Sequence, residues 1–180
     1  MITRKHDNGG AIFSDCERYR YLLWRQWDFL DPEPVYMAFI GLNPSTADES
    51  KNDPTIRRCI GFAKREGYAG LYMLNLFAYR ATQPSVMMAA EDPIGPDNDR
   101  VIADYVEVAG KAVACWGGDG GFDYRDLAVS RLLRSSRHAK TRTIGEVLWC
   151  LGTTAGGYPR HPLYVRGNAP LVRYAVKDPA

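Results

Sequence analysis

Asn43, Asn75, Trp116 and His161 each stand at or beyond the end of an apolar run, and around them gathers most of the chain's unusual chemistry. Asn43 falls in GLNPSTADESKNDP, directly after VYMAFIGL at 35–42. In Gly41-Leu42-Asn43-Pro44-Ser45 the glycine permits close backbone approach, the proline fixes the chain, and Asn43 presents a carboxamide. Ser45, Thr46, Asp48 and Asp53 add further polar groups. The segment reads either as a strand-to-helix turn with Asx and Ser/Thr caps or as a ligand loop. It lacks the GxxxxGK[ST] pattern of a phosphate loop. Asn75 sits inside LYMLNLF, where a carboxamide must find hydrogen-bond partners or cost about a few kcal/mol. It is either a structural amide or one whose donor and acceptor edges read a pyrimidine-like face. Phe77 and Tyr79 could stack on a base, and Arg80 could meet a phosphate.

CWGGDGG at 115–121 ends another apolar run at Trp116, followed by glycines whose backbone a bulky ligand could approach. In GTTAGGYPRHPLYVRG at 152–167, His161 stands between Arg160 and Pro162, whose ring restricts the histidine backbone and can aim its imidazole. His6 and His138 read as structural. Several chemistries are excluded. The separated histidines and scattered cysteines (Cys16, Cys59, Cys115, Cys150) match neither zinc-ligand nor iron–sulfur spacing. No GxSxG elbow and no GxGxxG after a strand is present. No metal or organic cofactor is expected.

The elements that must position these residues are legible as runs. VYMAFIGL, GLYMLNLF, KAVACWG and EVLWCLG have the length and continuity of strands covered on both faces. Asp53-Pro54 supplies an N-cap and a first-turn proline for a helix over TIRRCIGFAKREG, stopped at Gly67. A second helix opens at Pro96-Asp97-Asn98-Asp99 and ends at Gly110, and a third spans roughly Asp123 to His138. Residues 19–27 fit strand or helix. The first 34 residues, rich in aromatics and arginine, are expected to pack on the core of a single domain spanning 1–180. Strands alternating with helices imply an α/β fold around a mainly parallel sheet. Ligands of such sheets sit beyond the carboxyl ends of the strands, which is where these residues lie.

Composition sets outer bounds. With 46% hydrophobic and 24% charged residues the chain is globular, and a formal charge of +2 excludes a polybasic arm while permitting a local basic face. No window approaches the length of apolar chain that spans a membrane, and MITRKHDNGG has no apolar run behind its charges, so a cytoplasmic protein without a secretory signal is expected.

Taken in order, GLNPS at 41–45, LYMLN at 71–75, ACWGG at 114–118 and His161-Pro162 resemble the motifs of the uracil-DNA glycosylase superfamily, the first in the Asn-Pro form of its mismatch-specific branch. GLNPSTAD with DPTIRR, NLFAYRAT and HPLYV resembles, over nearly the whole chain, a family of small proteins of undefined function. The superfamily resemblance implies a three-layer αβα sandwich around a four-stranded, mainly parallel sheet, and cleavage of a base–sugar bond after the nucleotide is flipped out. It implies that Asn43 positions water with Asp48 or Asp53 assisting, that Asn75 bonds the base edge, and that His161 steadies the departing base. Phe77, Tyr79, Trp116 or Tyr164 would contact the base, and Arg57, Arg58, Arg80 and Arg160 the phosphates. The implied partner is DNA, single-stranded or with a flipped base, or a free nucleotide, bound by a monomer. Two departures stand out. Asn43 replaces the aspartate of the most active branch, and Leu163-Tyr164 replaces a small Ser-Pro pair. The alternative is a non-catalytic module that recognises a nucleobase or nucleotide through the same site; an unrelated small-molecule transferase is a further one.

Overall fold

A computed structural model describes residues 1–45, 47–135 and 148–176. The N-terminal segment forms three strands, β1 (Ile2–His6), β2 (Gly9–Phe13) and β3 (Arg20–Gln26), so residues 19–27 resolve as strand. The apolar runs give β4 (Tyr36–Gly41), β5 (Gly70–Asn75), β6 (Lys111–Ala114) and β7 (Leu148–Cys150), and a last strand, β8 (Val172–Tyr174), follows. All belong to one sheet of order β1-β2-β3-β5-β4-β6-β7-β8. The strands from the apolar runs are parallel neighbours, β5-β4-β6-β7. The expected sheet of four strands is therefore only its centre, and among the described residues the sheet is a mixed one of eight strands. The additions cover the edges that a parallel core would leave as unpaired backbone. β3 pairs antiparallel with β5, Leu23 opposite Met73, and β8 pairs antiparallel with β7. The Arg-rich segment is thus part of the sheet rather than a layer laid on it.

Period-2 alternation divides the core between the two faces. On β4, Met37 and Phe39 pack with Ile56, Cys59 and Phe62 of helix α1 (Pro54–Arg65). Ala38 and Ile40 face the opposite way, toward Val101 and Ile102 of α3 (Asn98–Val108) and Val129 and Leu133 of α4 (Arg125–Ser135). A short helix the sequence did not announce, α2 (Pro84–Met88), contributes Met87 to that second core. Helix α1 begins as its sequence implies: the Asp53 carboxylate accepts from the Ile56 N–H at 2.8 Å, and Pro54 occupies the first turn. Gly67, at φ +81°, lies just past its end. The expected third helix is described to Ser135; its remainder and His138 lie outside the described residues. No helix among the described residues is long and apolar enough to cross a membrane.

The strand order fixes where a ligand can sit. From β4 the chain reaches β5 through α1 on one face and then β6, on the other side of β4, through α3 on the opposite face. The two crossovers part at the carboxyl end of β4 and leave a crevice there.

Candidate functional site

That crevice is a cleft of about 610 Å³, a size suited to a small organic ligand. Its walls are the segments that leave the parallel strands: Gly41 to Asn43 and Ser45 after β4, Asn75 ending β5, Trp116 to Asp119 after β6, and Thr154 to Tyr164 after β7. Asp53, Thr55 and Ile56 come from the start of α1, and Ala81, Thr82 and Pro84 from the approach to α2.

Asn75 is 1% exposed, yet it lines the cleft, and neither its amide nitrogen nor its oxygen has a hydrogen-bond partner among the described residues. Its backbone surroundings are tightly held. Buried Asn98 donates from Nδ2 to the carbonyls of Asn75 and Leu76 at 3.1 and 2.9 Å, and Arg125 Nε donates to Leu76 at 2.8 Å. Gly41 makes room for the carboxamide, because a Cβ there would stand 2.9 Å from Asn75 Oδ1. The Leu76 and Phe77 amides donate to the carbonyls of Gly41 and Leu42 at 2.9 Å each, joining the two loops. Asn43 completes that junction, donating from Nδ2 to the Ala81 carbonyl at 2.7 Å. Its carboxamide lines the cleft with the donor already engaged.

His161 precedes a 3₁₀ turn at Pro162–Tyr164, and its Nδ1 accepts from the Leu163 N–H at 3.4 Å. An acceptor Nδ1 leaves the proton of the neutral ring on Nε2. Burial pushes the His161 pKa below its usual value, with the Asp53 carboxylate opposing the shift. Tyr164 packs its ring 5.6 Å from the imidazole. The Gly117 N–H donates to the Pro159 carbonyl at 3.0 Å, tying this segment to the end of β6. Trp116 is buried over Gly120, where a Cβ would fall 1.9 Å from the indole; its Nε1 has no partner among the described residues.

The cleft thus collects Gly41, Leu42, Asn43, Ser45, Asp53, Asn75, Trp116, Arg160, His161 and Tyr164 from the residues singled out in the sequence. Others lie elsewhere. Asp48 spends its carboxylate on the Ser50 and Lys51 amides at 2.9 and 2.7 Å; burial raises its pKa, but those bonds outweigh it and hold the group below its usual value. Phe77 is fully buried against Phe122, 5.7 Å between centroids. Tyr79 and Arg80 border an adjoining groove that shares Ser45, Ala81 and Thr82 with the cleft. Arg80 lies 5.1 Å from the Phe13 ring and donates to the Glu17 carbonyl at 3.1 Å. Arg57 donates to the Asn52 carbonyl. Arg58 clamps the histidine segment to α1, donating to the carbonyls of Pro162 at 3.2 Å and Val165 at 2.5 Å. Pro44 and Pro162 shape their loops without lining the cleft.

Sequence reasoning missed several polar cleft residues, Thr55, Thr82, Asp119 and Thr154 among them, and the most buried of those missed is Arg20, 2% exposed. An arginine amid CERYRYLLWRQW reads as surface charge. The only available signal was its place in a run of alternating apolar residues.

Residues 20–163 match the model of a family described as a protein of unknown function, DUF1643. The chain belongs to this family. The DUF1643 region takes in Arg20, Asn75 and His161 and stops one residue before Tyr164. Neither the search of curated proteins nor that of solved structures returned a match.

Proposed function

We propose that the cleft binds a pyrimidine-type nucleobase and that the protein hydrolyses the N-glycosidic bond of the nucleotide carrying it. The observation that carries this reading is the Asn75 carboxamide, buried at the cleft with donor and acceptor both unpartnered among the described residues. Burying both edges of an amide without partners is unfavourable by roughly 1–3 kcal/mol per group. A planar ligand with a neighbouring acceptor and donor, such as a pyrimidine edge, satisfies both at once.

The remaining groups fit the reaction. Water adds its oxygen to C1′, the C1′–N bond breaks, and its electron pair leaves with the base. Charge builds on the base oxygens as the sugar becomes oxocarbenium-like. The Nε2–H of His161 donates to that developing charge, an interaction typically worth about 3 kcal/mol. Asp53 takes the proton from water, and the Asn43 oxygen orients the water before attack. The indole of Trp116 supplies an apolar wall.

A second reading is recognition without cleavage. Asn43 favours it, because its amide donor already binds the 81 carbonyl and serves the loop junction. The two are separated by incubating the protein with oligonucleotides carrying uracil, mismatched thymine and modified pyrimidines, and with free pyrimidine nucleotides, followed by chromatography of released base. Release that slows about a hundredfold in His161→Ala is the expected result. Binding without release by any substrate leaves the recognition reading.

A further inference from the structure

Arg20 has no part in the chemistry above, yet it is the most confined charge in the cleft. β3 runs antiparallel to β5, so its first residue arrives at the edge where the parallel strands end. The Arg20 amide donates to the Ala78 carbonyl at 3.0 Å, three residues beyond Asn75. One guanidinium nitrogen donates to the Ala47 carbonyl, and Nε has no partner among the described residues. No carboxylate among them forms an ion pair with it.

Arg25, buried on the same strand, is a useful contrast. Its Nε donates to Asn52 Oδ1 at 2.8 Å, Nη1 to the Trp24 carbonyl at 2.8 Å and Nη2 to the Asp48 carbonyl at 2.7 Å. That is an arginine fully used by the fold. Arg20 is a buried cation with bonding capacity left over, which is unfavourable until an anion fills it. Burial lowers its pKa to about 10, with the Asp53 and Asp48 carboxylates opposing the shift and Arg80 and Arg25 adding to it, so it still carries its charge at neutral pH. Of the carboxylates that line the cleft, Asp119 lies after β6, and Asp53 favours the Arg20 charge from beyond ion-pair distance while spending one oxygen on the Ile56 amide at the helix N-terminus.

We propose that Arg20 is an anion subsite, taking the phosphate of a free pyrimidine nucleoside monophosphate whose base meets Asn75. The choice of base rests on the function proposed above; the subsite does not. A terminal phosphate can reach a buried guanidinium, whereas a phosphodiester brings chain on both sides of it. A DNA strand also finds few cations at the cleft. Among the described residues Arg57, Arg58 and Arg80 do not line it, and besides Arg20 the one arginine that does, Arg160, donates from Nε to the Thr153 carbonyl at 2.9 Å.

Calorimetric titration of the whole chain tests this with ribose, ribose 5-phosphate, uridine, uridine 5′-monophosphate and an unphosphorylated oligothymidylate. Ribose 5-phosphate should bind at least about tenfold more tightly than ribose. Arg20→Gln should erase that preference, and Arg20→Lys should keep part of it. Equal affinity for the two sugars overturns the subsite, as does a folded Arg20→Gln protein that keeps the preference. Tighter binding of oligothymidylate than of the monophosphate overturns the choice of ligand. Should neither variant fold, the melting temperature of the unaltered protein decides: ribose 5-phosphate must raise it and ribose must not. Ribose 5-phosphate binding through Arg20 while uridine gives no heat upholds the subsite and removes the base reading alone.

Discussion

At the scale of single residues, the cleft holds polar groups that the fold itself does not satisfy. Asn75 is the clearest, and it implies a trade between stability and binding. Replacing it with Leu, similar in size, removes two unpartnered buried atoms. Asn75→Leu is therefore expected to raise stability by about 1 kcal/mol, read as a higher midpoint in urea, while abolishing nucleotide binding. A lower midpoint together with intact binding would show that the carboxamide serves the fold. His161 yields a prediction in pH. Its folded pKa lies below the unfolded value, so the unfolded chain binds more protons as pH falls through that interval. The neutral ring's contribution is complete above the unfolded pKa and is lost on acidification toward the folded one. Melting curves between pH 8 and pH 5 (about the range over which an ordinary histidine titrates) should show the His161→Gln protein losing less stability than the unaltered chain. Identical acid sensitivity in the two proteins would place the titration elsewhere. Asn75 and His161 were legible in the sequence because a carboxamide in an apolar run and a histidine before a proline are unusual. Arg20 was not, because an arginine near other arginines and aromatics carries no mark of burial.

At the scale of elements, α1 joins two functions that substitution can part. Asp53 caps the helix and also supplies a carboxylate to the cleft. Asp53→Asn keeps a capping oxygen and is expected to melt close to the unaltered protein while slowing base release. Asp53→Ala loses the cap as well, at about 1 kcal/mol. If Asn at this position leaves the single-turnover rate unchanged, the carboxylate has no role in the reaction. Arg58 illustrates what spacing alone conceals. In TIRRC it looks available to a phosphate, whereas its guanidinium holds the carbonyls of Pro162 and Val165. Arg58→Ala should weaken ligand binding by loosening the His161 segment, with no change in the salt dependence of that binding. A shallower salt slope would instead restore it as a phosphate contact. The caps of α1 and the main strands could be read because capping is local and apolar continuity reports burial on both faces. Helix α2, five residues long, and strand β8, three, are too short to leave a periodic signal.

At the scale of the molecule, four parallel strands set the site and the flanking strands complete it. The parallel centre was legible, since each of its strands is a continuous apolar run. The eight-stranded extent was not: β1 is largely exposed, β2 and β3 are mostly buried but carry glycines or arginines in place of a continuous apolar run, and pairing partners are a long-range choice. That extension matters for function, because β3 is what brings Arg20 to the carboxyl edge beside Asn75. The central claim is that the Asn75 carboxamide reads a base within this cleft. It is tested most directly by following the Asn75 side-chain amide protons by NMR while uridine 5′-monophosphate is added to isotopically labelled protein. Both Nδ2 protons should shift with saturation, and the His161 Nε2 proton should shift with them. A saturable shift confined to other side chains, with Asn75 unmoved, would contradict the account.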